Sequence, residues 1–198
     1  MSLDQSKLAI SRDAARERLL TLVRERAYKD GIDIVLASGK RSTFYVNGKR
    51  ITLHPEGLFL FASLLLDEIE AIGGITAVGG MAIGADPISA AVCTLSWLRG
   101  RPIEAFLVRK EAKGHGTTSQ IEGELGPQSR VAIVEDTITT GGSSRKAIEA
   151  VLDAGAQVVC VLALVDREDT DGDAFRRDFD VRSIFKLSDL RRPSTDPA

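Results

Sequence analysis

The chain predicts an α/β fold: a doubly wound, mostly parallel sheet with helices on both faces and a small N-terminal hood. Three observations carry this expectation. Short apolar, β-branched runs at residues 75–78, 104–108, 131–134 and 158–165 alternate with stretches whose apolar residues recur at helical spacing. The Gly-rich and charged segments follow the ends of these runs, on the rim where ligand loops of open parallel sheets gather. Two further short runs, 32–36 and 43–46, flank a tight turn before the alternation begins, and so stand outside the main sheet.

Size and charge narrow the class of protein. The 198 residues, 43% of them hydrophobic, suffice for one domain with a sizeable core, the hood being about 1–50 plus the C-terminal segment and the core about 51–168. A formal net charge of −2 gives no bulk attraction to nucleic acid or an anionic membrane, so neither is an expected partner and a polyanion site must be local. Cys93 and Cys160 lie far apart in apolar segments without metal-ligand spacing, and read as buried thiols of a reducing compartment. The first residues mix acids and bases ahead of no apolar run, and no stretch approaches a membrane span, so the expected location is cytoplasmic.

In chain order, residues 11–28 carry Ala14, Leu19, Leu22 and Val23 at helical spacing among charges, an amphipathic helix for the core edge or a subunit contact. Gly31 interrupts the pattern, and the hairpin around 38–42 follows, with two exposed cations, Lys40 and Arg41. Leu58, Phe61, Leu65, Leu66 and Ile69 then mark a helix over 57–72, stopped by Gly73 and Gly74, and His54 before Pro55 reads as structural. After strand 75–78 comes a loop of small residues, 79–87, and a helix over 88–98. Such a loop admits a pyrophosphate to its backbone amides or packs helix tightly on sheet. Strand 104–108 leads into 109–123, where Arg109, Lys110, Lys113 and His115 fall within seven residues among Gly, Thr and Ser. That segment cannot pack a core. It reads as a solvated loop or a lid whose cations neutralise a departing polyanion while a histidine, titrating near neutrality, supplies a proton or hydrogen bond.

The most informative stretch is 130–144. An apolar run, 131–134, stops at Glu135 and Asp136, passes through Thr137, Ile138, Thr139, Thr140, Gly141 and Gly142, and enters a helix capped by Ser143 or Ser144, with Ala147, Ile148, Val151 and Leu152 on one face. Unpaired N–H groups and the positive end of the helix dipole favour an anion there, and the two carboxylates suit the hydroxyls of a ribose. The guest of such a site is a phosphorylated ribose, although spacing alone leaves an ordinary βα turn equally open. Strand 158–165 ends at Asp166, Arg167 and Glu168, where Arg167 either grips a carboxylate or makes a rim salt bridge. An acidic loop, 169–173, an edge strand, 181–185, and a loose tail from 191 complete the chain.

The 130–144 segment resembles the phosphoribosyl-pyrophosphate signature of the type I phosphoribosyltransferases, and two other segments narrow the likeness. The hairpin with Ser38, Gly39, Ser42 and Tyr45, and the lid with Arg109, Lys110, Glu111, Lys113, His115 and Gly116, are similar to those of the orotate phosphoribosyltransferase family, over residues 32–167 in all. The resemblance implies a single phosphoribosyltransferase domain that converts orotate and 5-phospho-α-D-ribose 1-diphosphate (PRPP) to orotidine 5′-monophosphate and pyrophosphate in pyrimidine synthesis, with Mg²⁺ as cofactor. It implies a homodimer whose lids reach into the partner's site. Position by position, it assigns pyrophosphate and catalysis to Arg109, Lys110, Lys113 and His115, with Lys113 foremost. PRPP falls to 135–143, and orotate to Thr139, Arg167 and the backbone around Tyr45 and Val46. Ala37 and Ile83 stand where many members carry lysine, leaving Lys40 or Arg41 as replacement charge. A phosphoribosyltransferase for another base, such as a purine, and a non-catalytic PRPP sensor that binds nucleic acid are the alternatives; Arg167 argues against the first and the net charge against the second.

Overall fold

The computed structural model describes residues 10–35, 41–111 and 120–191. Ser11 caps α1 (Arg12–Leu22), whose buried stripe is Ala15, Leu19 and Leu22. The helix is shorter than its periodicity suggested. A π-helical turn, Val23–Ala27, follows it, and Tyr28 already opens strand β1 (Tyr28–Val35). β1 pairs antiparallel with β2 (Arg41–Val46), from Tyr28 opposite Val46 to Val35 opposite Arg41. Gly31 does not end the strand: at φ +67° it sits at the register irregularity between Asp30 and Ile34, a bulge that a residue with a Cβ would resist. This pair forms its own two-stranded sheet.

A short helix, α2 (Lys49–Thr52), links the pair to α3 (Pro55–Ile72), where His54 Nδ1 accepts the Gly57 N–H at 3.1 Å and so acts as the helix cap. The main sheet then forms from β3 (Ala77–Met81), β4 (Glu104–Val108), β5 (Ile121–Glu122), β6 (Arg130–Ile138), β7 (Gln157–Asp166) and β8 (Val181–Lys186), in the order β5-β4-β3-β6-β7-β8. Neighbours run parallel except β5, which lies antiparallel on β4. Between them lie α4 (Asp86–Leu98) after β3, α5 (Gly142–Asp153) after β6, and α6 (Asp173–Asp178) and α7 (Leu187–Arg191) on either side of β8.

Apolar residues split the sheet into two faces. Along β6, Val131 and Ile133 join the core formed with Ala147, Ile148 and Val151 of α5 and Phe175 of α6. Ala132 and Val134 point the other way, into a core with Leu19, Phe61, Leu65, Ile88 and Val92. A strand buried on both faces is why these runs read as continuously apolar. Each large side chain so buried contributes about 1.5–3 kcal/mol.

Two strands outrun their apolar stretches. β3 continues through Gly79 and Gly80 to Met81, and β6 passes both acids to Ile138, because the β6–β7 ladder holds from Arg130 opposite Gln157 to Ile138 opposite Asp166. Backbone pairing does not require apolar side chains. The acidic loop expected at 169–173 is a 3₁₀ turn, Thr170–Gly172, running into α6, which Phe175 anchors by full burial. Among the described residues no helix is long and apolar enough to cross a membrane.

Candidate active site

The chain leaves β3 through α4 toward β4, on one side of the sheet, and leaves β6 through α5 toward β7, on the other. The strand order thus reverses between β3 and β6, and the two loops part there, opening a crevice at the strands' carboxyl ends. A cleft of about 910 Å³ occupies this place. Met81, Ala82, Ile83 and Gly84 line it from β3, Lys110 and Glu111 from the end of β4, and residues 135–144 from β6 and α5, with Lys49 and Lys146 at its rim.

Because β6 extends past the apolar run, the acid pair belongs to the strand and its side chains alternate. Glu135 is 8% exposed and its Oε1 accepts from Ser144 Oγ at 3.2 Å. Burial, with the charge of Asp136 beside it, pushes Glu135 up to about 7. Burial also raises Asp136, against the opposing pull of Lys49, whose Nζ lies 3.7 Å from Asp136 Oδ2. A pair of carboxylates that cannot easily both stay charged is suited to sharing the protons of donor groups on a ligand.

The loop beyond the strand turns on Gly141. Its φ is +78°, and a Cβ would come within 2.2 Å of the Phe175 ring. The helix cap is therefore this glycine rather than Ser143 or Ser144, and no side chain caps the helix. Ser143 and Ser144 instead occupy its first turn, where backbone N–H groups have no partner within the helix. Thr140 Oγ1 accepts from Gly142 N at 3.4 Å, while Thr137 Oγ1 is buried without a hydrogen-bond partner. Ile138 lines the cleft although its side chain belongs to the core, and its carbonyl accepts from Arg167 N at 3.0 Å.

A second pocket, about 720 Å³, opens on the hood side of the same rim, lined by Phe44, Arg167, Glu168, Asp169, Thr170, Leu187, Ser188 and Arg191. Arg167 is 8% exposed and its guanidinium carbon lies 4.9 Å from the Phe44 ring centre, with that of Arg191 at 4.7 Å. Arg167 Nε stands 3.4 Å from Asp169 Oδ2, an ion pair without hydrogen-bond geometry, so this buried N–H has no acceptor. The Asp166 carboxylate, bound by Arg176 Nε at 2.7 Å and by Glu168 N at 2.8 Å, holds the loop that carries it. The linings of the two pockets meet where Arg167 N of the second donates to the Ile138 carbonyl of the first at 3.0 Å.

The residues predicted from sequence are thus gathered unequally. Glu135 to Ser143 and Lys110 line the first cleft, and Arg167 the second. Arg109 turns away to Glu122 at 2.6 Å. Tyr45 is 39% exposed and Val46 is in the core, and the ring of Phe44 stands at the pocket in their stead. The period of two along β2 carried a signal for this, since Phe44 shares a face with buried Val46. Ser144, read from sequence as a possible helix cap, instead donates to Glu135, and Lys49 and Arg191 had no local signal. Lys113 and His115 lie outside the described residues, as do Ala37 and Lys40.

No protein-family model matches the chain. It is 42% identical over 179 residues to the orotate phosphoribosyltransferase of Synechocystis sp., covering 89% of each chain. It is also 42% identical over 178 residues to that of Aquifex aeolicus, covering 88% of this chain and 97% of the relative. Among solved structures, the Mycobacterium tuberculosis orotate phosphoribosyltransferase in complex with PRPP superposes with a TM-score of 0.71 at 37% identity, over 89% of this chain and 98% of that one.

Proposed function

The chain belongs to the orotate phosphoribosyltransferase family, and on that premise we propose that the crevice between β3 and β6 is where PRPP and orotate meet. The enzyme transfers the phosphoribosyl group of PRPP to orotate, a step of pyrimidine synthesis that yields orotidine 5′-monophosphate and pyrophosphate. One observation carries the assignment of the site: an acid pair, an α-helix N-terminus and a small-residue loop line a single cleft, with a buried arginine in the adjoining pocket.

The roles follow from the chemistry of each group. Glu135 and Asp136 accept the two ribose hydroxyls. Thr139, Thr140, Gly141, Gly142 and Ser143 surround the 5′-phosphate at the start of α5, where the helix dipole and free N–H groups favour it. The 81–84 loop faces the diphosphate. Arg167, with an unused N–H and the Phe44 ring beside it, takes the orotate carboxylate, next to Thr139. As the bond from ribose C1 to the diphosphate breaks and that to the base nitrogen forms, positive charge grows on the sugar and negative charge on the leaving group, so catalysis is mainly positional and electrostatic. Lys110, Lys113, His115 and a released Arg109 gather on the diphosphate as a lid that also excludes water. An exposed pair such as Arg109–Glu122 costs little to open.

Magnesium fits this donor set in one way. Among the described residues no three His, Cys, Asp or Glu converge as a metal site, so the ion would be held by diphosphate and ribose oxygens and its own waters. When bound it neutralises charge on the departing group. We further read the chain as one domain that works as a cytoplasmic homodimer with shared sites. The stacking of Arg191 on Phe44, which joins the C-terminal segment to the hood, supports the single domain. The test is a purified-protein assay with Mg²⁺ and PRPP, offering orotate, uracil, hypoxanthine and adenine in turn. Orotate alone should be consumed, with release of pyrophosphate; consumption of a purine instead would refute the base assignment.

A further inference from the structure

Lys49 opens α2, the link between hood and core, and no role above uses it. The backbone around it is fixed. Ile51 and Thr52 are fully buried, and Gly48 lies so close to Asp136 that a Cβ there would meet the aspartate's side-chain atoms at 2.7–2.9 Å. The lysine stem therefore starts beside the acid pair, from a position that close packing holds in place. Its charged end is loose by contrast. Nζ stands 3.7 Å from Asp136 Oδ2, beyond hydrogen-bond reach, on a side chain 54% exposed at the rim of the cleft.

A sugar diphosphate brings several negative charges close to two carboxylates, which raises the energy of both unless a cation stands between them. Lys110 and Lys146 line the cleft too, but Lys49 is the lysine with a described ion pair to the acids. When ribose hydroxyls donate to Asp136, that carboxylate needs the lysine less, and a four-carbon stem lets the ammonium swing to a new partner. Resting on the phosphoribosyl reading above, we propose that Lys49 is a diphosphate-binding residue: it leaves Asp136 as the ribose arrives and pairs with a phosphate oxygen of the sugar diphosphate. The cleft thus meets its anionic guest with a cation stored on its own acid.

Isothermal titration tests this, with PRPP and with inorganic pyrophosphate, each with Mg²⁺, on the full-length wild type, Lys49→Met and Lys49→Arg. Lys49→Met should weaken both ligands about ten- to a hundredfold, the worth of a charge-assisted hydrogen bond, and Lys49→Arg should recover most of the loss. Melting temperatures of the ligand-free proteins should agree within a few degrees. Pyrophosphate affinity that does not depend on residue 49 overturns the proposal, since a lysine serving only to orient Asp136 would affect PRPP alone. Wild-type protein that fails to bind PRPP overturns the phosphoribosyl reading itself, an outcome distinct from normal PRPP binding by both wild type and Lys49→Met.

Discussion

Glu135 is where a side chain's preference for water is most directly opposed by its place in the fold. An acid whose folded pKa is raised, here from 4.5 to about 7, binds more protons folded than unfolded, so its contribution to stability is present below about pH 4.5 and is lost as pH rises through 7. Glu135→Gln removes that loss while keeping an acceptor for Ser144. The variant should therefore be more stable than wild type at pH 8, by on the order of 1–3 kcal/mol, and equal to it near pH 4.5, as followed by thermal unfolding across pH. Its activity should fall, since the amide has one hydrogen-bond-accepting oxygen where the carboxylate has two, and the one is already engaged by Ser144. Arg167 makes a different demand. Arg167→Leu should raise the KM for orotate about ten- to a hundredfold with little change in PRPP affinity, by steady-state kinetics and titration, because only the base carries the carboxylate.

Among elements, the β6–loop–α5 unit builds the wall of the cleft that we propose holds the 5′-phosphate. Gly141→Ala forces a methyl group into the Phe175 ring and a left-handed φ onto an L-residue. Together these should cost about 2–4 kcal/mol, read as a lower melting temperature, with weaker PRPP binding at temperatures where the variant is folded. This unit was also the most legible in the sequence, as the apolar run, the acids and the Gly pair each have a distinct chemistry. What sequence could not supply was the point at which β6 ends, because the ladder to β7 carries the acids into the strand, and with it the change of helix cap from serine to Gly141. The Phe44–Arg167 contact was hidden for another reason: 123 positions separate the two residues, and only the folded hood brings them together. α6 escaped notice because its six residues are too few for a helical period to declare itself.

At the scale of the whole molecule, the proposed homodimer with shared sites makes its own prediction. Lys113→Ala damages the lid and Arg167→Leu the base pocket, so at an orotate concentration well below the raised KM of Arg167→Leu each pure variant should be nearly inactive. Mixed and allowed to exchange, they should regain about a quarter of wild-type activity, since random pairing makes half the dimers hybrid and each hybrid holds one undamaged site. A lid that serves its own subunit would give no recovery. The single tryptophan offers a way to watch such exchange. Trp97, at the far end of α4 and 72% exposed, lies about 16 Å along the helix from Asp86, where the helix leaves the cleft-lining loop. Its indole emission is therefore a built-in optical gauge of what covers the outer end of that helix, and stays largely silent to the filling of the catalytic crevice.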